Sequence, residues 1–210
     1  MQKKIAFVRP FILEIMRIFW AIKEEFLHFR EIRRFNIKPY QLLWVNPKEI
    51  LMGRCKVDKH CTQYLKDRFI QDGEWDQDLV NPLEHSIVKT AFNVSNGKTN
   101  WKLSGEHLRM KNLLDSYSYF DGCNSTNDVK RRYNSLDKML VEVKSEKRIR
   151  CRKSLRRFNF RELGGMEVAV GRNGDVIKIG DGQHRLGIAL ALGVKKVPVS
   201  VVLVHKEYER

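Results

Sequence analysis

The segment Gly180-Asp181-Gly182-Gln183-His184-Arg185 constrains this chain more than any other, because it sits between an apolar strand-like run and a short Ala/Leu-rich stretch closed by Gly193. Two glycines let the backbone turn tightly, and a helix that starts directly afterwards offers N–H groups without intrahelical acceptors. His184 and Arg185 add side-chain donors, so the segment suits an anion, a phosphate above all. Cations in the first turn of a helix oppose its dipole unless something negative lies nearby, which points the same way. The plainer alternative is a tight turn with a helix cap, since short glycine motifs carry a real false-positive risk.

The flanking residues define an order of elements. Met166 to Gly171 reads as a strand, and Arg172-Asn173-Gly174-Asp175 carries the Asn-Gly signal of a tight hairpin. Val176 to Ile179 is the returning strand, and Gln183 to Leu192 reads as a helix buried on much of its surface, with Gly193 as a left-handed terminator. From Val197 through Val204 the near-continuous apolar run fits a strand covered on both faces.

On these residues the chain resembles a known family. Asp181-Gly182-Gln183-His184-Arg185-Leu186, followed by Ala191-Leu192-Gly193 and Val197-Pro198-Val199, is similar to the nucleotide-binding box of the ParB/sulfiredoxin superfamily, over about forty residues from Met166 to His205. Leu42 to Ile50, with Val45-Asn46-Pro47, resembles the first strand and turn of that fold. Gly73-Glu74-Trp75-Asp76 and a late strand ending in His205 are similar to ParB-like proteins found near bacterial surface-glycan genes. The resemblance implies nucleotide phosphates on Gly180, Gly182, Gln183, His184 and Arg185. By comparison with kinase members of the superfamily, Asp181 is the candidate metal ligand, through Mg²⁺, or general base, with His184 as the second catalytic candidate. A carboxylate beside a phosphate needs Mg²⁺ between them. Sulfiredoxins carry a reactive Cys where this chain has Gln183, so repair of oxidised peroxiredoxin is not expected. Only five residues follow His205, so the helix-turn-helix of ParB partition proteins is not expected either.

Length and charge set outer limits. With 210 residues and 42% hydrophobic content the chain can build one good core or two small ones. A net charge of +15 calls for an anionic partner, whether nucleotide, nucleic acid, anionic glycan or membrane surface. Cys55, Cys61, Cys123 and Cys151 show no Cys-x-x-Cys spacing. Although His60 lies near the first pair, buried or free thiols in a reducing cytoplasm are the simpler reading.

Phe11 to Ile22 is rich in large apolar residues but is bounded by Arg9-Pro10 and interrupted by Glu14 and Arg17. Spanning a bilayer takes about twenty uninterrupted apolar residues, and no small-residue cleavage site follows. From Phe11 to Glu31, Ile12, Ile15, Met16, Phe19, Ile22, Phe26 and Phe29 recur at helical spacing opposite Glu14, Arg17, Glu24, Glu25, His28 and Glu31. Because that polar face mixes acids with bases, packing against the core or a partner subunit leads over a membrane-surface role for residues 1–30. Trp20 with Lys3, Lys4 and Arg9 keeps the lipid alternative open.

Between Lys38-Pro39 and Gly165 the sequence is punctuated by Asn81-Pro82, Asn96-Gly97, Ser104-Gly105 and Asp121-Gly122, and it reads as irregular apart from a helix over Asn127 to Val143. Within it, Trp75 and Asp76 are candidates for substrate stacking and metal coordination, with a core Trp and solvated acids as the alternative. Arg148, Arg150, Arg152 and Arg156, in a basic run from Lys147 to Arg161 with Phe158 and Phe160, are candidate polyanion contacts. Such runs are usually a solvated linker or helix face, no nucleic-acid motif accompanies this one, and guidance of a polyanionic substrate toward the loop at Asp181 is a third reading.

The expected fold class is therefore α+β, a ParB/sulfiredoxin-like small mixed sheet with packed helices. An amphipathic segment occupies 1–36 and a discontinuous domain 37–210, with core 41–52 and 166–205 and an insertion at about 70–162. The expected function is NTP binding, with ATP or another NTP and Mg²⁺ as cofactors, in a phosphotransferase or nucleotide hydrolase. The alternatives are nucleic-acid binding through the basic run and a membrane-associated accessory role. The expected location is cytoplasmic, with peripheral membrane attachment as the variant.

Overall fold

Two units make up the computed structural model, which describes residues 2–53, 68–155 and 165–209. The first unit, Met1–Asn81 with Arg150–Gly182 and Lys196–Arg210, carries every strand among the described residues. The second, Pro82–Ile149 with Gln183–Lys195, is helical. The chain is α+β, as its residue patterns imply.

The sheet of the first unit is mixed and seven-stranded. Its strands are β1 (Gln41–Val45), β2 (Ile50–Gly53), β3 (Ile70–Gln71), β4 (Leu79–Val80), β5 (Met166–Val170), β6 (Val176–Lys178) and β7 (Val197–His205). They lie in the order β1-β7-β5-β6-β2-β4, with β3 pairing the far end of β7. β7 runs parallel to β5 and β3 and antiparallel to β1, and all nine of its residues are buried. Each buried Val or Leu contributes roughly 1.5–3 kcal/mol relative to exposure, which makes this strand the spine of the unit. The β5–β6 hairpin turns where Asn173-Gly174 predicts it, with Gly171 N–H donating to Asp175 O at 2.9 Å. After β1, Asn46 Oδ1 accepts from Lys48 N–H at 3.1 Å and opens a short 3-10 turn, Pro47–Glu49, that leads into β2.

Helix α1 (Gln2–Leu27) runs through Pro10, which the sequence suggests as a boundary, and it ends before His28, where the periodicity suggests continuation to Glu31. α2 (Phe29–Phe35) follows; Asn36 N–H closes its last bond to Ile32 O at 2.8 Å, and the left-handed φ of 55° at Asn36 ends the helix there. Ala21 of α1 is buried with Tyr40, Ala169, Ile177, Ile179, Val202 and Leu203, and Trp20 packs against the same cluster. The amino-terminal helix thus belongs to the sheet unit, and β3 and β4 extend that unit to Asn81.

Much of the described part of the stretch that reads as irregular is helical. In the helical unit α3 (Ser86–Ser95) buries Val88, Ala91 and Val94, α4 (Glu106–Tyr117) buries Met110, and α5 (Thr126–Glu146) buries Val129, Tyr133 and Val143. Ser125 caps α5 by accepting from Asp128 N–H at 3.2 Å, and Asp128 Oδ2 accepts in turn from the Ser125 hydroxyl at 2.6 Å. α6 (Gln183–Ala191) ends as expected at Gly193, in the left-handed conformation with φ 64°. Gly187 lets α6 cross α3 almost backbone to backbone, because a Cβ there would stand 2.4 Å from Val88 O.

Candidate functional site

The glycine loop is held from beneath by two charged residues on strands. Lys178 of β6 is fully buried, and its ammonium donates to Ile179 O at 2.6 Å, Gly180 O at 3.1 Å and Glu167 O at 3.2 Å. Asp181 N–H lies 3.4 Å from Glu167 Oε2, while Glu167 N–H donates to Asp181 O at 3.2 Å. Gly182 has φ 100°, and a Cβ on it would stand 2.6 Å from Met166 Cγ and 2.8 Å from Met166 Cα, so only glycine fits. The Asp181 side chain is exposed.

Neither Lys178 nor Glu167 is conspicuous in the sequence, because the apolar residues of their strands dominate the pattern. Their signal is that each is a charged residue in an otherwise apolar strand, and a buried charge must find partners. Glu167 also lies 3.9 Å from Arg17 of α1, and a small cavity of about 70 Å³ is lined by Arg17, Trp20, Tyr40, Glu167 and Val202. Burial pushes the Tyr40 phenol up to about 12, with Glu167 and Asp181 adding to the rise and Arg17 opposing it.

Past Gly182 the chain enters the helical unit, where His184 and Arg185 are both buried in the first turn of α6. His184 Nε2 lies 3.5 Å from Glu106 Oε2, and its ring meets Trp101 edge-on at 5.5 Å. Glu106 accepts from Arg109 Nε at 3.1 Å and Nη2 at 2.9 Å, and from the Tyr133 hydroxyl at 2.9 Å. Burial alone would raise the Glu106 carboxyl, but the groups around it, His184 and Arg109 first, hold it down to about 2. His184 is therefore enclosed in the helical unit with a carboxylate as its charged neighbour, although its Nε2 has no hydrogen-bond partner among the described residues. No acidic residue occupies the first turn of α6 itself.

A second constellation gathers at the end of β7. His205 is fully buried, with Nε2 2.8 Å from Gly73 O, and its Nδ1 accepts from Glu207 N–H at 3.1 Å. That pairing places the proton on Nε2. Trp75 packs its ring 5.4 Å from the imidazole, and its Nε1 is buried with no hydrogen-bond partner among the described residues. Asp76 is buried and grips Arg172, whose Nη2 donates to Oδ1 at 2.9 Å and whose backbone N–H donates to Oδ2 at 2.8 Å. The residues expected to stack on a substrate and hold a metal, Trp75 and Asp76, are thus joined to His205 and Arg172. With its carboxylate spent on a guanidinium, Asp76 is an internal anchor for the β5–β6 turn.

The basic run divides between the units. Arg148 is exposed and pairs with Glu146 at 3.3 Å just past α5, Ile149 is buried, Arg150 is exposed, and Arg152 opens a single helical turn, Arg152–Leu155. Arg156, with the rest of the run to Arg161, lies outside the described residues, as do Cys55, His60 and Cys61. Comparison of the chain with protein-family models, curated proteins and solved structures gives no match.

Proposed function

We propose that the protein binds a nucleoside triphosphate as its Mg²⁺ complex on the Gly180–Arg185 segment, in a ParB/sulfiredoxin-type fold, and acts as a phosphotransferase or nucleotide hydrolase. The observation that carries this reading is the loop itself: a glycine turn braced by Lys178 and Glu167 that feeds directly into α6, whose first turn holds two basic side chains and no acid. A glycine turn that leads directly into a helix is a sequence of elements on which phosphates are commonly bound. In this reading Gly182, Gln183 and Arg185 serve the phosphates, and His184, buried beside Glu106, is a positioning residue.

The donor set suits Mg²⁺ that arrives with its phosphates. Asp181 is exposed, and Mg²⁺ is commonly held by one or two carboxylates together with substrate phosphates. Among the described residues no group of three or more His, Cys, Asp or Glu stands ready to hold a metal alone. When bound, Mg²⁺ would neutralise the charge that develops on the phosphoryl oxygens.

A thermal-shift panel of ATP, ADP, CTP and GTP, each with and without Mg²⁺, tests the reading, because a ligand that binds only the native state raises its melting temperature. A Mg²⁺-dependent rise with at least one triphosphate, reduced in Asp181→Asn, supports it. No rise with any nucleotide contradicts it.

A further inference from the structure

The amino-terminal helix is docked the opposite way round from what its periodicity suggests. Its inward face mixes apolar and charged residues: Ala21 is fully buried with Trp20 packed beside it, Glu24 is 2% exposed with Phe69 N–H donating to its Oε2 at 2.8 Å, and Arg17 reaches toward Glu167. Its outward face is apolar, with Ile12, Met16, Phe19, Ile22 and Phe26 between 49% and 84% exposed. At about 100° per residue these five span roughly 120° of the helix surface, with Phe19 near the middle. Leu27 and Phe29 prolong the patch at its carboxy-terminal end, each 58% exposed.

This orientation removes the objection that the polar face mixes charges of both signs. Glu24 faces the domain, and Glu25 lies more than about 100° round the helix from the centre of the patch. Lys23 lies within the outward patch, and Arg30 is exposed in the first turn of α2. An apolar face of this extent on a folded protein marks an interaction surface. Two features favour lipid over a second copy of the chain. The stripe is broader than the two-position seam of a coiled coil, and pairing like faces would bring together two chains that each carry a net charge of +15.

We infer that the outward face of α1 docks on an anionic lipid surface, lying in the plane of the interface with its Phe and Ile side chains inserted and Lys23 and Arg30 among the headgroups. No described helix is long and apolar enough to cross a membrane, so the helix lies on the bilayer and does not span it. This inference is independent of nucleotide binding.

Vesicle flotation of the full chain tests it, using phosphatidylcholine alone and phosphatidylcholine mixed with phosphatidylglycerol. The wild-type protein is expected to float with the anionic vesicles, less at high salt and less with neutral vesicles. Phe19→Ser combined with Phe26→Ser is expected to cut partitioning by about tenfold or more. Its melting temperature should not move, because both rings already face outward. Lys23→Glu, which leaves the apolar surface intact, should weaken binding to anionic vesicles selectively. Absence of flotation overturns the inference, and so does flotation that the Phe substitutions leave unchanged, since net charge alone would then explain it. A stable dimer that the Phe substitutions split, with no vesicle binding, would assign the face to a second copy instead.

Discussion

Asp76 and Arg172, 96 residues apart in sequence, are clasped together: Arg172 Nε lies 3.2 and 3.1 Å from the two carboxylate oxygens, and Arg172 also donates to Gly73 O at 2.8 Å. The pair ties the β5–β6 turn to the Gly73–Asp76 segment, and through Gly73 O to His205 at the end of β7. Burial raises the Asp76 carboxyl, but hydrogen bonds from the Arg172 side chain and backbone outweigh it and leave the group below its usual 3.8.

Asp76→Asn is therefore expected to lower the melting temperature at neutral pH by several degrees. The sign follows from the depressed carboxyl: its contribution is present above the unfolded value of 3.8 and fades as pH falls through the folded one. Thermal melts of wild type and variant should converge as the pH is taken below that range. A gap that stays constant on acidification would show that the ion pair is not its source.

Glu106 makes the same kind of prediction for the helical unit, with a wider window. Its carboxyl falls from the ordinary 4.5 to about 2, so the stabilisation it supplies is complete above 4.5 and is lost as pH drops from there toward 2. A shift of this size corresponds to stability on the order of 3 kcal/mol. Urea unfolding of Glu106→Gln against wild type, followed across that window, should show the difference shrinking with acid. A difference independent of pH would contradict it.

Gly182→Ala should be among the most damaging single-methyl additions in the chain, because the new Cβ has no space beside Met166 and the φ of 100° is strained for any L side chain. Overpacking and strain together should cost about 2–4 kcal/mol in urea unfolding. Gly193→Ala, with φ 64° and open space, should cost only about 1–2 kcal/mol. Equal losses at the two positions would show that contact with Met166 is not what requires glycine at the loop.

The carboxy-terminal order of elements is legible because each boundary has local chemistry behind it: Asn173-Gly174 for the hairpin, Gly193 for the end of α6, and an unbroken apolar run for a strand with neighbours on both sides. The helical unit is harder to read. α4 buries only Met110 and Glu106, too little for a visible stripe, and α3 is a short helix between Asn-Pro and Asn-Gly turn signals. The docked side of α1 misleads for a related reason, since Arg17, Glu24 and His28 look solvated until Phe69 N–H and Glu167 are brought to them. Pairings across long stretches of chain, such as Asp76 with Arg172, leave no periodic trace.

Isothermal calorimetry of the full chain with ATP and Mg²⁺, repeated on Arg185→Ala and Asp181→Asn, bears most directly on the glycine loop as a phosphate site. The expected result is saturable binding, weakened several-fold in Arg185→Ala and made less dependent on Mg²⁺ in Asp181→Asn, with both variants still folded by far-ultraviolet circular dichroism. Binding of equal strength in wild type and in both folded variants, or no binding by the wild-type chain to ATP or to any other triphosphate, would contradict the account.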